Sequence, residues 1–218
     1  MHYAPVIEKC PLNFSPFKSC TVPRPIGWIS TVSEKGIPNL APFSQWQNLT
    51  FDPPMVMFAA NHLSSGKRKH TVINAERTGW FVWNMATYEL RNAVNISAME
   101  LPSSEDEFEH AGVTKEKCLD APGPRVKESP AHFECRYLST HSLKGNSNHG
   151  YVDVVYGEVV RIHVDDKVIN KEGKMDLKLI RPLARLGYYD YTSVTEIFEM
   201  RIPNASGDTE DGLEGKSS

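Results

Sequence analysis

The residues best equipped for chemistry lie in "GKRKHT", residues 66 to 71. Arg68 and Thr71 stand three apart and share one face if a helix begins there, so a guanidinium and a hydroxyl could meet the same phosphate. Basic residues at a helix N-terminus also oppose its macrodipole, a local cost that a bound anion would remove. The plainer alternative is a solvated helix start, because runs of charge usually face water.

A second stretch, "GIPNLAPFSQWQNLTFDPP" at 36 to 54, carries Asn39, Ser44, Gln45, Asn48 and Thr50 where a strand would ordinarily carry Val or Ile. With Ala41 and Pro42 among them, these small residues leave the main chain accessible. That suits a flat heterocycle edged with donors and acceptors, such as isoalloxazine. An edge strand with a bulge, guarded by proline and polar side chains, produces the same pattern. The residues support both readings.

Other chemistries are excluded more directly. The chain has no G-x-S-x-G, H-E-x-x-H, G-x-x-x-x-G-K-[ST] or G-x-G-x-x-G. None of its eight histidines pair at i, i+4, and Cys10, Cys20, Cys118 and Cys135 lack C-x-x-C spacing, so no metal site is expected and the cysteines read as reduced thiols. Lys plus Arg is 24 against 27 for Asp plus Glu, and the net charge of -3 gives no general attraction to nucleic acid or anionic membrane. Neither a signal peptide nor a spanning apolar run is evident, and the expected location is cytoplasmic.

The elements that would position these residues follow from periodicity. Residues 25 to 33 alternate as a strand, "SEKG" turns the chain, and 36 to 54 returns as the second arm of a hairpin. "MVMFAA" (55 to 60) and "WFVWNM" (80 to 85) read as strands around a helix capped by Ser64 or Ser65 and stopped at Gly79. Thr87 is expected to cap a helix over about residues 88 to 99, and Ser104 and Glu107 to form a capping box ahead of Gly112. A period of two returns at 132 to 139 and at 151 to 164, where Val152, Val154, Tyr156, Val160 and Ile162 share a face and Gly157 suggests a bulge or bend. "LKLIRPLARLG" reads as a short broken helix or turn and "EIFEMRI" as a last strand. Residues 1 to 200 form one domain and the acidic end, 201 to 218, a disordered tail. Strands outnumber helices, and the helices sit in the middle third. The expected fold is therefore mainly β, an antiparallel barrel with a helical insertion.

The blocks "RPIGWIST", "NLAPFSQW", "LTFDPP", "KRKHTVINAERTGWFVWN", "PSSEDEFEHAGVT", "ESPAHFEC", "GEVVRIHV" and "PLARLGYYDY" resemble, in order, the flavin reductase-like family, which includes flavoredoxin and the reductase components of two-component monooxygenases. The resemblance covers about residues 20 to 195 and implies a homodimeric split β-barrel that binds FMN. It implies that Ser44, Gln45, Asn48, Leu49 and Thr50 line the ring and ribityl chain, and that Arg68, Lys69 and Thr71 hold the phosphate. It places His149 near the flavin or nicotinamide as the catalytic candidate, with Arg185 and Tyr188 within reach of the cofactor. His70 departs from the family, which often has Asp before the phosphate threonine. Trp28, Trp46, Trp80 and Trp83 read as core or dimer-interface residues. The implied activity is NAD(P)H:flavin oxidoreduction, with NADH or NADPH as donor and a monooxygenase or other electron acceptor as partner. The alternative is a flavoredoxin-like carrier that keeps its FMN and is reduced by a protein.

Overall fold

The structure, a computed structural model, describes residues 1–147 and 150–200. The expected tail, 201 to 218, lies outside the described residues. The elements in chain order are β1 (Arg24–Pro25), β2 (Gly27–Val32), β3 (Pro38–Phe43), β4 (Trp46–Phe51), β5 (Pro54–Asn61), α1 (His70–Thr78), β6 (Trp80–Met85), α2 (Arg91–Ile96) and α3 (Glu107–Ala111). They continue with β7 (Lys115–Lys117), β8 (Pro124–Val126), β9 (Ala131–Lys144), β10 (Tyr151–Val164), α4 (Leu177–Ile180), β11 (Leu183–Arg185) and β12 (Tyr191–Ser193).

Seven strands form one antiparallel sheet in the order β3-β2-β6-β9-β10-β5-β4. Its two edges, β3 and β4, are consecutive in the chain and joined only by Ser44 and Gln45. Ala59 N–H donates to the Gln45 carbonyl at 2.8 Å, and the rings of Phe43 and Phe58 lie 4.9 Å apart. The sheet therefore curls until its edges meet at this corner, giving the split β-barrel. The polar stretch is consequently two edge strands, not the single hairpin arm expected. Of these two strands β3 is the one that pairs with β2, around a turn at Gly36 with φ 80°.

Inside the barrel, Ile29, Val56, Phe58, Phe81, Cys135 and Val155 are closed to water. Each buried large apolar side chain stabilises the fold by roughly 1.5–3 kcal/mol. Gly157 sits at a register shift between β9 and β10, where a Cβ would meet the Phe81 ring at 2.4 Å; only glycine fits. A second core seats α2 and α3 on the outer face of β2 and β3 through Trp28, Leu40, Val94 and Phe108. Trp28 Nε1–H donates to Ser97 Oγ at 2.9 Å and Trp83 Nε1–H to the Ile26 carbonyl at 3.0 Å, so both indoles are core residues with their polar edge satisfied.

Several local expectations are corrected. Ser64 and Ser65 cap nothing: they belong to a turn closed by Gly66 N–H to the Leu63 carbonyl, and α1 starts at His70 behind an N-cap Lys69 that gives no side-chain bond. Thr87 pairs with Pro182 in an isolated bridge, which delays α2 to Arg91. The cap of α3 is Asp106, accepting from Phe108 N–H; Ser104 lies two residues before it, too far from the first turn for the box. Gly79 and Gly112 do end their helices, at φ 77° and 68°. Among the described residues Tyr191–Ser193 is the last strand, completing a small sheet β1-β11-β12; the expected strand "EIFEMRI" does not form as far as residue 200, and its last two residues, 201 and 202, lie outside the described residues. On β10 the face of Val160 and Ile162 is the outer one, while Asp153, Val155, Gly157 and Val159 point into the barrel.

Candidate functional site

Strand β3 bonds to β2 on one side only, so alternate residues turn their main chain outward. Leu40 N–H identifies the outward set, because it donates away from the sheet to Glu107 Oε2 at 3.3 Å. Pro42, the next outward position, has no N–H to leave unsatisfied, which is where an edge strand tolerates proline. A carbonyl and a proline ring thus border open space, with Ser44 following at the corner.

Facing this edge is the N-terminus of α1. Thr71 is buried, and its hydroxyl donates to Asn39 Oδ1 at 2.7 Å; Asn39 Nδ2 in turn donates to Glu107 Oε1 at 2.8 Å. This chain ties the helix start to β3. Burial pushes the Glu107 carboxyl above its ordinary pKa, more than its hydrogen bonds pull it down. A small hollow of about 90 Å³ lies between Asn39, Pro42, Lys69, His70, Thr71 and Ala98. First-turn N–H groups of a helix have no intrahelical acceptor, and α1 has no side-chain cap, so its positive end opens toward this hollow.

Arg68 points elsewhere. Its guanidinium takes both oxygens of Glu76 at 2.7 and 2.6 Å, and its Nε–H donates to Asp153 Oδ2 at 2.7 Å. Asp153 also accepts from Ser142 at 2.5 Å and contacts His62 Nε2 at 3.0 Å. The Glu76 bonds hold Arg68 above its ordinary pKa, and Arg68 lowers that of Glu76. Burial works against the Asp153 carboxylate, but the Ser142 and Arg68 bonds outweigh it and its pKa falls. This network fastens the segment before α1 to β10.

A larger cavity of about 940 Å³ continues from the hollow, sharing Pro42 and Ala98 with it. Its walls include Phe14, Phe17, Arg24, Ser44, Arg185 and Tyr188. Arg24 donates to the carbonyls of Thr21 at 3.0 Å and Leu186 at 2.9 Å, binding the N-terminal strap to the C-terminal segment. Arg185 lies 4.4 Å over the Tyr191 ring and donates to the Tyr188 carbonyl. Tyr188 adopts φ 56°, and its ring meets that of Phe14 edge-on at 5.8 Å.

Of the residues singled out from sequence, Ser44, Lys69, Thr71, Arg185 and Tyr188 line this continuous groove. Arg68 does not. Asn48, Leu49 and Thr50 are exposed on β4, carried to the opposite sheet edge by the two-residue corner, in which Gln45 itself is exposed. His149 lies outside the described residues. Sequence reasoning missed Arg24, Phe14, Phe17, Asn95 and Ala98 as groove residues. Arg24 had a signal, since it opens the "RPIGWIST" block; the strap and the end of α2 had none.

Residues 19–192 match the flavin reductase like domain. A protein of Aquifex aeolicus is 35% identical over 77% of this chain and 84% of its own length. Among solved structures, nitrilotriacetate monooxygenase component B from Bacillus cereus superposes with a TM-score of 0.83 at 28% identity, over 92% of this chain and 98% of that one. Flavoredoxin of Desulfovibrio vulgaris shares the fold, with a TM-score of 0.69 at 18% identity over 83% and 91% of the two chains. The fold is thus a known one, and the chain belongs to the flavin reductase-like family.

Proposed function

We propose that this chain is a homodimeric, FMN-binding NAD(P)H:flavin oxidoreductase that passes reduced flavin or electrons to a partner oxygenase. Family membership supports a flavin-related oxidoreductase role, and the similar Bacillus cereus protein, a monooxygenase component, favours an oxygenase as acceptor. The observation that carries the reading is the continuity of the groove: an accessible main-chain edge at Pro42 and Ser44 opens at one end into a hollow under the N-terminus of α1.

The residues present fit FMN. Lys69, the Thr71 segment and the first-turn amides suit a phosphate at the narrow end. The outward carbonyls of β3 suit the polar rim of a flat ring, and Arg24 and Arg185 put positive charge where an anionic reduced ring would be favoured. When bound, flavin supplies two-electron chemistry, taking hydride from NAD(P)H, so the protein has only to hold donor and acceptor rings in contact. No acid–base dyad is then needed at the groove. Ser44, Arg185 and Tyr188 are read as ring-side contacts and Lys69 and Thr71 as phosphate-side contacts; Arg68 acts through the loop it fastens. A second copy would cover the exposed apolar positions Leu49, Phe51, Val160 and Ile162, and with them Gln45, Asn48 and Thr50.

The test is spectroscopic. The purified chain, titrated with FMN, should quench its fluorescence and, mixed anaerobically with NADH or NADPH, bleach its visible absorption within turnover times. A bound flavin that only dithionite or a protein donor reduces would make the chain an electron carrier instead. Failure to quench FMN at all would remove the flavin reading.

A further inference from the structure

The narrow hollow that suits the flavin phosphate has an acid in its wall. Glu107 is only 4% exposed, and its carboxylate accepts from Asn39 Nδ2 at 2.8 Å and from Leu40 N–H at 3.3 Å. Both donors are neutral. Among the described residues no cation stands within ion-pair distance of Glu107, and Lys69, the one ammonium lining the hollow, is held at 3.1 Å by Glu100, which lines it too. With Glu107 ionised and His70 neutral, the acids around the hollow therefore outnumber the cations.

Neighbouring elements do not change that balance. Helix α1 presents Lys69 and His70; β3, whose Asn39 and Leu40 hold the carboxyl, has no titratable side chain; and the one charged residue of α2, Arg91, lies 4.1 Å over the Tyr88 ring instead. On the acid's own helix Glu109 and the capping Asp106 are engaged by Lys115, and Glu105, just ahead of it, contacts His110 at 2.9 Å. A hollow of about 90 Å³ leaves little water to screen an anion from the carboxyl, so two full negative charges there repel strongly. One proton removes the conflict. A carboxyl and a phosphate oxygen that share it make a charge-assisted O–H···O⁻ bond in place of a repulsion.

We propose that Glu107 is the specificity-determining residue of the phosphate end: it requires the anion to be bound together with one proton, and so selects a phosphate monoester over an anion of similar shape that carries none, such as a sulfate ester. Below the second ionisation of a phosphate monoester, at about pH 6, the ligand brings the proton; above it the proton comes from solvent. The inference rests on the flavin reading and deepens it at this one residue.

Calorimetry on the flavin-free full chain measures FMN, riboflavin and riboflavin 5′-sulfate between pH 6 and pH 8, each in two buffers of different ionisation enthalpy, which gives the protons taken up on binding. Wild type should take up close to one proton with FMN at pH 8. Its FMN affinity should fall by up to about tenfold between pH 7 and pH 8, the limit for one linked proton, while riboflavin affinity stays flat. The sulfate ester should bind about tenfold more weakly than FMN at pH 7, because the ordinary ionisations of a carboxyl and of a phosphate monoester lie more than a unit apart. Glu107→Gln, which offers the anion a carboxamide N–H, should abolish the uptake and bring the two esters close to equal affinity. His70→Asn should leave the uptake and the preference in place. No uptake by the wild type, equal affinity of the wild type for the two esters, or riboflavin with the same pH dependence as FMN overturns the inference while the flavin reading stands; none of these needs a variant that folds. Uptake that survives Glu107→Gln, or that is lost with His70→Asn, overturns it as well. A wild-type chain that binds neither FMN nor riboflavin overturns both.

Discussion

Two sets of arginines in this molecule answer to opposite surroundings. Arg68 is enclosed by Glu76 and Asp153 and has its donors turned toward carboxylates. Arg24, Arg91 and Arg185 line concave surface free of acids and bond to carbonyls and the Ser44 hydroxyl or lie over rings. The first set ties segments together, and the second leaves positive charge available to a ligand. A run of basic residues in sequence is therefore a poor guide to where an anion binds: in "GKRKHT" the most strongly paired cation, Arg68, does not reach the groove.

The largest expected effect tests the enclosed set. Asp153→Ala removes a carboxylate only 1% exposed on which Arg68, His62 and Ser142 converge. It should lower unfolding free energy in urea by about 2–3 kcal/mol, toward the modest end for a broken buried pair because Arg68 is partly wet. The exposed pair Arg77–Glu34, both side chains 61% open, is the control, at no more than about 1 kcal/mol. Equal effects would erase the distinction between enclosed and open arginines.

Next in size is a pair of substitutions that separates fastening from phosphate contact. Arg68→Ala should destabilise by about 1–2 kcal/mol and weaken FMN and riboflavin by similar factors, because the loop it fastens serves both. Lys69→Ala should weaken FMN by about fivefold to tenfold and leave riboflavin unchanged, since only FMN has the phosphate. A loss on Arg68→Ala confined to FMN would return that guanidinium to the ligand.

How much of this was legible in the sequence divides along the same line. The period-two runs that became β9 and β10 were readable because each face is decided by neighbours two residues away, and Gly157 marked its own bulge. The acceptors of Arg68 were not, since Asp153 lies 85 positions on and no local pattern links them. Helix starts failed for a related reason: Thr87 looks like a cap until Pro182, distant in sequence, claims its backbone. In the site, Ser44, Lys69 and Thr71 were found because short blocks carry them. The corner at Ser44 and Gln45 that sends Asn48, Leu49 and Thr50 to the other sheet edge is a tertiary fact, set by Ala59 and Phe58 on β5.

Acid titration sharpens the comparison further. Glu76 and Asp153 have native pKa values below their ordinary ones, so the stability they contribute is fully present above about pH 4–5. It is lost as pH falls through the lower native values. Urea midpoints at pH 6 and pH 3 should therefore differ less in Asp153→Ala than in the wild type, by about 1 kcal/mol or more once converted to free energy. An identical pH dependence in the two proteins would mean that the network holds no protons off.

The smallest effect belongs to Glu107, the acid at the boundary between the two regions. Its carboxyl lines the narrow hollow beside Lys69 and His70, and burial raises its pKa in the native state. The sign is opposite to that of Asp153. The native protein holds this proton more tightly than the unfolded chain, so stability falls as pH rises from the ordinary carboxylate value through the raised native one. Glu107→Gln removes that fall and keeps an acceptor for Asn39 Nδ2. Between pH 4.5 and pH 7 the variant should lose less stability than the wild type, by less than about 1 kcal/mol, measured as parallel urea titrations. A steeper fall in the variant would show that the ionised carboxylate is what holds Asn39 and Thr71 at the start of α1. The hollow would then have to accommodate its anion beside a resident negative charge.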